Sequence, residues 1–292
     1  MTRAAPWCSL RTAVAAGVLA VALTVASWAQ APEVHLAAIP EFVTVAPGTA
    51  VRVAVRIDVP TGWHIGWMNT GESGLPTTLR WREPPDFSPG GAVWPVPEWV
   101  EDASRITHIL RDTVYVLTPF TVAPAARAGR AELTADLMWA VCSEGHCYRQ
   151  HGSVRAVVRV DRGLAGRGAA GGRNPAWAPV AAAAGALPLA GEGIILRASA
   201  VPEGVRLEIS GLSEAPPAGA PVMWFPAAEG QTVLKVTIRV ARGTISLTVR
   251  PRDVTGAPPG RLVGVLAGLL VRQGTATSRA LTVDVPVELA AR

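Results

Sequence analysis

The chain has 292 residues, of which 49% are hydrophobic and 17% charged, and its formal net charge at pH 7 is +5. The positive charge is carried by scattered arginines, since Lys235 is the only lysine, and no basic stripe or patch suited to nucleic acid is present. Nucleic acid is therefore excluded as an expected partner, and the length suggests two domains of ordinary size.

Residues 1–31 have the pattern of a secretory signal peptide. Arg3 and Arg11 give a positive start, Thr12–Ala26 is apolar, and Ala29-Gln30-Ala31 offers a small-x-small cleavage site. Cleavage is predicted after Ala31. The alternative, an uncleaved membrane anchor, is less favoured because the apolar run falls short of the roughly 20 residues that span a bilayer. Export would place the protein in a compartment that permits disulfides.

Residues 32–162 form a first block with short alternating stretches. Val51–Ile57 alternates apolar and polar residues with the period of two that is typical of a half-buried strand. Pro47-Gly48 marks the turn before it. Helical periodicity is nearly absent, so the block is predicted to be a β-sandwich. Its predicted strands are 43–45, 51–57, 78–81, 114–117, 131–141 and 153–160.

Residues 163–192 are rich in Gly, Ala and Pro and are predicted to be a linker with little apolar surface to bury. A short helix is possible at Val180–Leu187, confined by Pro179 and Pro188. Residues 193–292 form a second block, whose strand spacing is typical of a sandwich of about seven strands. It lacks cysteine and histidine, so we interpret it as a support or docking module. Its predicted strands are 194–198, 205–210, 233–240, 244–249, 261–270 and 281–287.

Cys142 and Cys147 are the only cysteines outside the signal segment, which contains Cys8. A strand leads into Cys142, and Gly145 supplies the backbone freedom that a hairpin turn between the two cysteines requires. Such a hairpin brings two sulfur atoms close enough to bond. The residues alone leave three hypotheses open, namely a redox-active pair, a structural crosslink and part of a metal site.

The metal hypothesis adds two histidines. Cys142, His146, Cys147 and His151 are four soft or borderline donors within ten residues, and Met138 lies just upstream. Thiolate, thioether and imidazole groups suit Cu(I). This alternative would make the protein a non-catalytic binding or adaptor protein that handles copper.

Other motifs indicate packing rather than chemistry. His64 is interpreted as a hydrogen-bonded structural histidine, and no G-x-S-x-G motif or phosphate-binding glycine loop is present. No cofactor is predicted. Six tryptophans of the first block are expected in the core or pinning loops, because their side chains bury much area. They are Trp63, Trp67, Trp81, Trp94, Trp99 and Trp139.

Four segments in one order carry a family resemblance. They are Gly62–Trp67 (GWHIGW), Asn69–Thr77 (NTGESGLPT), Trp94–Pro97 (WPVP) and Trp139–Tyr148. With them, the first block resembles the N-terminal periplasmic domain of the DsbD family of thiol:disulfide interchange proteins, in the variant found in suppressor-of-copper-sensitivity membrane reductases. The likeness is strong over 55–160 and fainter over 193–290, where Phe225-Pro226 and Gly264–Leu266 have family-like settings.

The resemblance implies an all-β protein of two immunoglobulin-like β-sandwich domains after the signal peptide. It implies that Cys142 and Cys147 are the redox-active pair, with Cys147 the attacking sulfur and Cys142 the resolving one. It implies a thioredoxin-like or membrane-embedded donor and exported disulfide-containing clients, and periplasmic localisation, with the membrane reached only through partners. Asn69–Thr77 is expected to form a cap loop that shields the cysteines.

The sequence also departs from the family. Arg149-Gln150 follows Tyr148 where many relatives have a proline, and four residues between the cysteines is a tolerable spacing rather than a signature. Full-length members continue into a membrane domain and a thioredoxin-like domain, whereas this chain runs to Arg292 with neither. We therefore expect its electron donor to be a separate protein.

Overall fold

The structure, a computed structural model, describes residues 31–288 except 103–104, 166–170, 213, 215, 217–220, 229–231, 242–243, 253–259 and 274–275. Residues 1–30 of the predicted signal segment, including Cys8, lie outside the described residues. The chain divides into two compact units, Met1–Pro32 and Glu33–Arg292. All elements named below belong to the second unit. No helix in the described ranges is long and apolar enough to cross a membrane.

The first block consists of two facing antiparallel sheets. One has the strand order β1-β3-β9-β6, and the other has the order β2-β11-β10-β4-β8-β7, with β5 also paired to β10. In the second sheet only β2 runs parallel to its neighbour, β11. The strands are β1 His35–Pro40, β2 Thr44–Val45, β3 Ala50–Asp58, β4 His64–Gly71, β5 Thr78–Arg82, β6 Phe87–Pro89, β7 Glu98–Asp102, β8 Arg105–Leu110, β9 Thr113–Val122, β10 Gly129–Ser143 and β11 His146–Val160.

Strand β10 shows how the sequence separates the two faces of its sheet. Leu133, Leu137 and Val141 are buried between the sheets, whereas Met138, one residue out of phase, is 58% exposed. Successive side chains of a strand point to opposite faces, so the odd-numbered residues of β10 face the core. Trp67, Trp94 and Trp139 are buried in this same core, as expected for the tryptophans.

The six predicted strands of this block are all present, and five further strands were missed. These are β1, β4, β6, β7 and β8. Strand β4 contains Gly66, Asn69 and Gly71, which are poor strand formers. It forms because its neighbours in the sheet supply hydrogen-bond partners and bury Ile65 and Trp67.

The segment after β11 packs on the first block more closely than its composition predicts. Helix α1 spans Ala178–Ala183, so it starts one residue before Pro179, at a position where proline is tolerated. Trp177, Val180 and Leu187 are buried together against the outer side of β3 and β9. The prediction that 163–192 buries little apolar surface is therefore wrong for 177–187, because Trp177 and Val180 lie three residues apart and pack together.

The second block contains seven strands within the described residues, as predicted. They follow one path, β14-β17-β18-β12-β13-β16-β15, in which β12 and β18 are parallel and all other neighbours are antiparallel. Leu207, Leu247, Leu266 and Val283 lie in its core. The strands are β12 Ile195–Val201, β13 Gly204–Ser210, β14 Met223–Pro226, β15 Thr232–Ala241, β16 Thr244–Arg252, β17 Arg261–Gln273 and β18 Ala276–Glu288. The two blocks confirm the predicted all-β, immunoglobulin-like fold.

Strand β14 joins the two blocks. The Phe225 ring lies 5.2 Å from the ring of His108 and 6.2 Å from that of Trp67, centroid to centroid. Phe225 is 1% exposed and belongs to the core of the first block. The Asn69 side chain donates a hydrogen bond of 2.6 Å to the Ala228 carbonyl. These contacts fix the second block to β4 and β8, two strands of the sheet that carries the cysteines.

Candidate functional site

Cys142 and Cys147 form a disulfide at the tip of the β10–β11 hairpin. They are direct cross-strand partners, with a Cα–Cα distance of 4.1 Å. Glu144 and Gly145 make the turn, and Gly145 has a φ of 79°. Glycine adopts this left-handed conformation without steric cost, which lets a two-residue turn close the hairpin. The predicted hairpin and the predicted proximity of the two sulfurs are both present.

The two sulfur-bearing residues differ in exposure. Cys142 is 9% exposed, whereas Cys147 is exposed. An incoming thiolate must reach the sulfur it attacks. Within this pair, Cys147 is therefore the residue that a thiolate from solvent can reach.

A third residue extends this pair across the sheet. His64 of β4 is the direct antiparallel partner of Cys142, and Ile65 is the partner of Val141. Ile65 and Val141 are in the core, so alternation places His64 and Cys142 on the opposite, outer face. On that face, His64 of β4, Cys142 of β10 and Cys147 of β11 form one row across three adjacent strands. Residues directly opposite one another in adjacent strands have Cβ atoms about 5 Å apart.

The surroundings of His64 favour its neutral form. Burial lowers the pKa of His64 below the ordinary histidine value, and the nearby positive charge of Arg111 lowers that pKa further. Glu98 opposes both effects. The Arg111 Nε atom donates a hydrogen bond of 3.2 Å to the Glu98 carboxylate, which partly offsets its charge. Burial and Arg111 thus favour the neutral imidazole of His64.

Aromatic side chains hold the hairpin from its inner face. The Trp63 and Tyr148 rings lie 5.9 Å apart, and Tyr148 is the cross-strand partner of Val141. The indole N–H of Trp139 donates a 3.0 Å hydrogen bond to the Gln150 side chain. Trp139 and Tyr148 belong to the segment that carries the family resemblance, and here they position the strands on either side of the cysteines.

The predicted cap segment Asn69–Thr77 folds back over β4. The Thr77 hydroxyl donates a 2.6 Å hydrogen bond to the Gly66 carbonyl. A Cβ atom added at Gly66 would overlap the Leu75 carbonyl and the Thr70 methyl group. Gly66 lies two residues from His64, on the same outer face by alternation. The segment therefore covers the sheet beside the His64–Cys142 row, and its shielding of the sulfurs themselves stays a prediction.

The described residues do not assemble the alternative Cu(I) site. His146 pairs with Ser143 at the end of the hairpin, and His151 pairs with Met138, four residues along β11 from Cys147. Alternation places His146 on the opposite face from the disulfide. Across the described ranges, no group of three or more His, Cys, Asp or Glu residues is arranged to hold a metal ion. Both sulfurs are engaged in the disulfide.

The sequence predicts a structural role for His64 and no role beside the cysteines for Arg111 or Glu98. His64 had a signal, because it stands in the Gly62–Trp67 segment of the resemblance. Arg111 and Glu98 had none, since their proximity depends on the pairing of β4 with β8 and of β8 with β7.

Comparison with known proteins agrees with this geometry. The family model described as "Thiol:disulfide interchange protein DsbD, N-terminal" matches residues 34–158. That range contains both cysteines, His64 and the cap segment, and the resemblance predicted from the sequence is confirmed for it. Most of the first block is thus similar to the N-terminal domain of the DsbD family. No curated protein matches the chain.

Solved structures that match the chain include two from different organisms. The N-terminal periplasmic domain of ScsB from Proteus mirabilis has 16% sequence identity and a TM-score of 0.47, with 83% of this chain and 91% of that chain covered. A non-cellulosomal cohesin from the archaeon Archaeoglobus fulgidus has 13% identity and a TM-score of 0.28, with 44% of this chain and 92% of that one covered.

Proposed function

We propose that this protein is an exported thiol–disulfide exchange module. In this proposal, Cys142 and Cys147 pass reducing equivalents from a thioredoxin-like or membrane-embedded donor to exported proteins that contain disulfides. The observation that carries the proposal is the exposed Cys147, bonded to the buried Cys142 at a hairpin tip within the range that matches the DsbD N-terminal family model.

The proposed reaction has two halves, each through a mixed disulfide. A donor thiolate attacks Cys147 Sγ, the Cys142–Cys147 bond breaks, and Cys142 leaves as a thiolate that takes up a proton. The second donor thiolate then attacks its own partner sulfur, which releases Cys147 and leaves the donor oxidised. Two electrons and two protons have moved to the pair.

The second half transfers these electrons to a client. The Cys147 thiolate attacks a client disulfide and forms a mixed disulfide, and one client sulfur leaves as a thiolate. Cys142 then loses its proton and attacks Cys147 Sγ. This step reforms the Cys142–Cys147 disulfide and releases the second client sulfur, so the client leaves fully reduced.

A purely structural disulfide at this position would add little to the stability of the domain. Closing a loop of about six residues stabilises a folded domain by only about 2 kcal/mol through chain entropy. The hairpin already has a complete cross-strand register from Gly129 to Ser143, and its inner face lies in a large core. The placement of one sulfur in solvent suits exchange better than reinforcement.

The test is thiol counting on the mature protein after incubation with reduced thioredoxin. We expect two thiols to appear and to disappear again when an oxidised client disulfide is added. Cys147→Ser should abolish both changes, and His146→Gln should leave them intact. A disulfide that thioredoxin leaves unreduced would contradict the proposal. Stoichiometric Cu(I) uptake by a protein without exchange activity would also contradict it and support the adaptor alternative.

Localisation and domain organisation belong to the same proposal. We infer periplasmic localisation after cleavage behind Ala31, and a domain organisation of 32–162, 163–192 and 193–292. The division into two blocks is supported by one buried cluster made only of residues from 45–160 and another made only of residues from 198–287. Mass spectrometry of the exported protein would test the cleavage position directly.

A further inference from the structure

In the reduced pair, the buried Cys142 must lose its proton before it can attack Cys147. When the pair is reduced, Cys142 carries a thiol, and only its thiolate attacks Cys147 Sγ in the resolving step. Cys142 is 9% exposed, and burial in apolar surroundings raises the pKa of a thiol. Solvent is therefore a poor acceptor for this proton, in contrast to the exposed Cys147.

The residue placed to take the proton is His64. It lies directly opposite Cys142 on the neighbouring strand and on the same face, on the side of Cys142 away from Cys147. An acceptor there does not compete with Cys147 for the approach to the Cys142 sulfur. Backbone pairing of Ile65 with both Val141 and Leu110 fixes the position of β4 at this point.

We propose that His64 is the proton acceptor for Cys142. In the resolving step the His64 imidazole takes the thiol proton, the Cys142 thiolate attacks Cys147 Sγ, and the client sulfur leaves. His64 then releases this proton to solvent, and in the opposite half-reaction it relays a proton from solvent to Cys142 as the bond between Cys142 and Cys147 breaks. This proposal rests on the exchange function proposed above, and it adds the group that handles the proton.

The charges around His64 suit this role. Arg111 and Glu98 are the charged groups that act on it from the β7–β8 side, while its neighbours in the row on β10 and β11 are the two cysteines. Burial and Arg111 together favour the neutral imidazole, the form that accepts a proton. Its pKa below the usual range also makes the imidazolium a ready donor for the return step.

The experiment follows the reaction of the reduced protein with 5,5′-dithiobis(2-nitrobenzoate) in a stopped-flow instrument. Cys147 attacks the reagent and releases one thionitrobenzoate. Cys142 then attacks Cys147 Sγ and releases the second, so the second absorbance phase isolates the resolving step. We expect His64→Gln to slow the second phase about tenfold or more at pH 7 and to leave the first phase unchanged.

The pH profile separates proton transfer from a structural effect. The wild-type second phase should stay fast down to below about pH 6.5, where His64 becomes protonated. In His64→Gln it should instead decline steadily as the pH is lowered from the alkaline side, because no imidazole takes the thiol proton. Arg111→Gln keeps His64 but removes the positive charge that lowers its pKa, so the wild-type midpoint should move to higher pH.

The controls make the outcomes distinct. His146→Gln removes an exposed histidine next to Cys147 and should leave both phases unchanged. An unaltered second phase in His64→Gln, or equal slowing of both phases, would overturn the proposal. The assay uses no protein donor and therefore tests the role of His64 separately from the exchange function. Failure of thioredoxin to reduce the wild type would contradict only the exchange function.

Discussion

Cys142 and Cys147 face each other across one hairpin, yet Cys142 is 9% exposed and Cys147 is open to solvent. This asymmetry is the basis of the two different roles proposed for these side chains. In the proposed exchange, a partner thiolate reaches Cys147 first, and Cys142 then releases the partner by attacking Cys147 Sγ. The same geometry determines which single-cysteine variant retains a partner.

Cys142→Ala should trap partners, because it removes the sulfur that resolves the mixed disulfide. We expect mixed disulfides through Cys147 to accumulate with exported proteins, as bands on non-reducing gels that reducing agent removes. Cys147→Ala is the matched control and should trap few, since Cys142 is buried. Trapping that depends on Cys142 instead would reverse the assignment of the two roles.

Gly66→Ala should loosen the cap segment. The added methyl group would overlap the Leu75 carbonyl, which as a backbone atom cannot rotate away. We expect a loss of about 1–3 kcal/mol in the free energy of unfolding, as for overpacking elsewhere. In a Cys147→Ser background, Cys142 should also react faster with iodoacetamide, measured by mass spectrometry.

Gly91→Ala provides the control for this change, because nothing lies within 4 Å of an added Cβ there. It should alter neither unfolding nor alkylation. If Gly66→Ala destabilises the protein while Cys142 alkylation stays at the wild-type rate, the cap segment does not shield the cysteine.

Acidification should destabilise the protein through His108. His108 is 2% exposed, its Nδ1 lies 3.0 Å from the Asn69 carbonyl, and burial lowers its pKa below the ordinary value. In the unfolded chain His108 binds a proton near pH 6.5, whereas in the folded protein it binds that proton only at lower pH. Stability should be constant above that pH and should fall as the pH drops below it.

Urea unfolding at a series of pH values measures this loss. His64, whose pKa burial also lowers, contributes in the same direction. His108→Gln should make the dependence on pH less steep below about pH 6.5, while the exposed His146→Gln should leave it as in the wild type. An equally steep decline in His108→Gln would show that other groups dominate acid unfolding.

Phe225→Ala should weaken the attachment between the two blocks. The ring contacts Trp67, Trp99 and His108, and loss of a buried phenylalanine costs about 3–5 kcal/mol. Tryptophan fluorescence should shift to longer wavelength as water reaches Trp67. Val157→Ala, at a side chain that is 38% exposed, is the control and should change stability by less than about 0.5 kcal/mol.

The sequence predicts the hairpin well because its signals are local. Alternation over 131–141 and 153–160, a glycine in the turn and two cysteines with four residues between them are all visible in one short window. Some of the strands it misses contain glycine or proline, as in β4 and β6, whereas β8 contains neither. Their formation depends on partners that are distant in sequence.

The same limit explains what is missed at the site. The proximity of His64 to Cys142 depends on the register of β4 with β10, and nothing near either residue specifies it. Packing of Phe225 into the first block is likewise a contact between remote segments. Trp177 and Val180 did carry a local signal, their three-residue spacing, but the surrounding alanines and prolines concealed it.

The two-residue turn Glu144-Gly145 limits how far the site can move. With only two residues between the paired ends of β10 and β11, Cys147 is held by the sheet and has no flexible segment that could carry it between partners. In the proposed exchange, the donor and the client would therefore have to bind one after the other at the same immobile position.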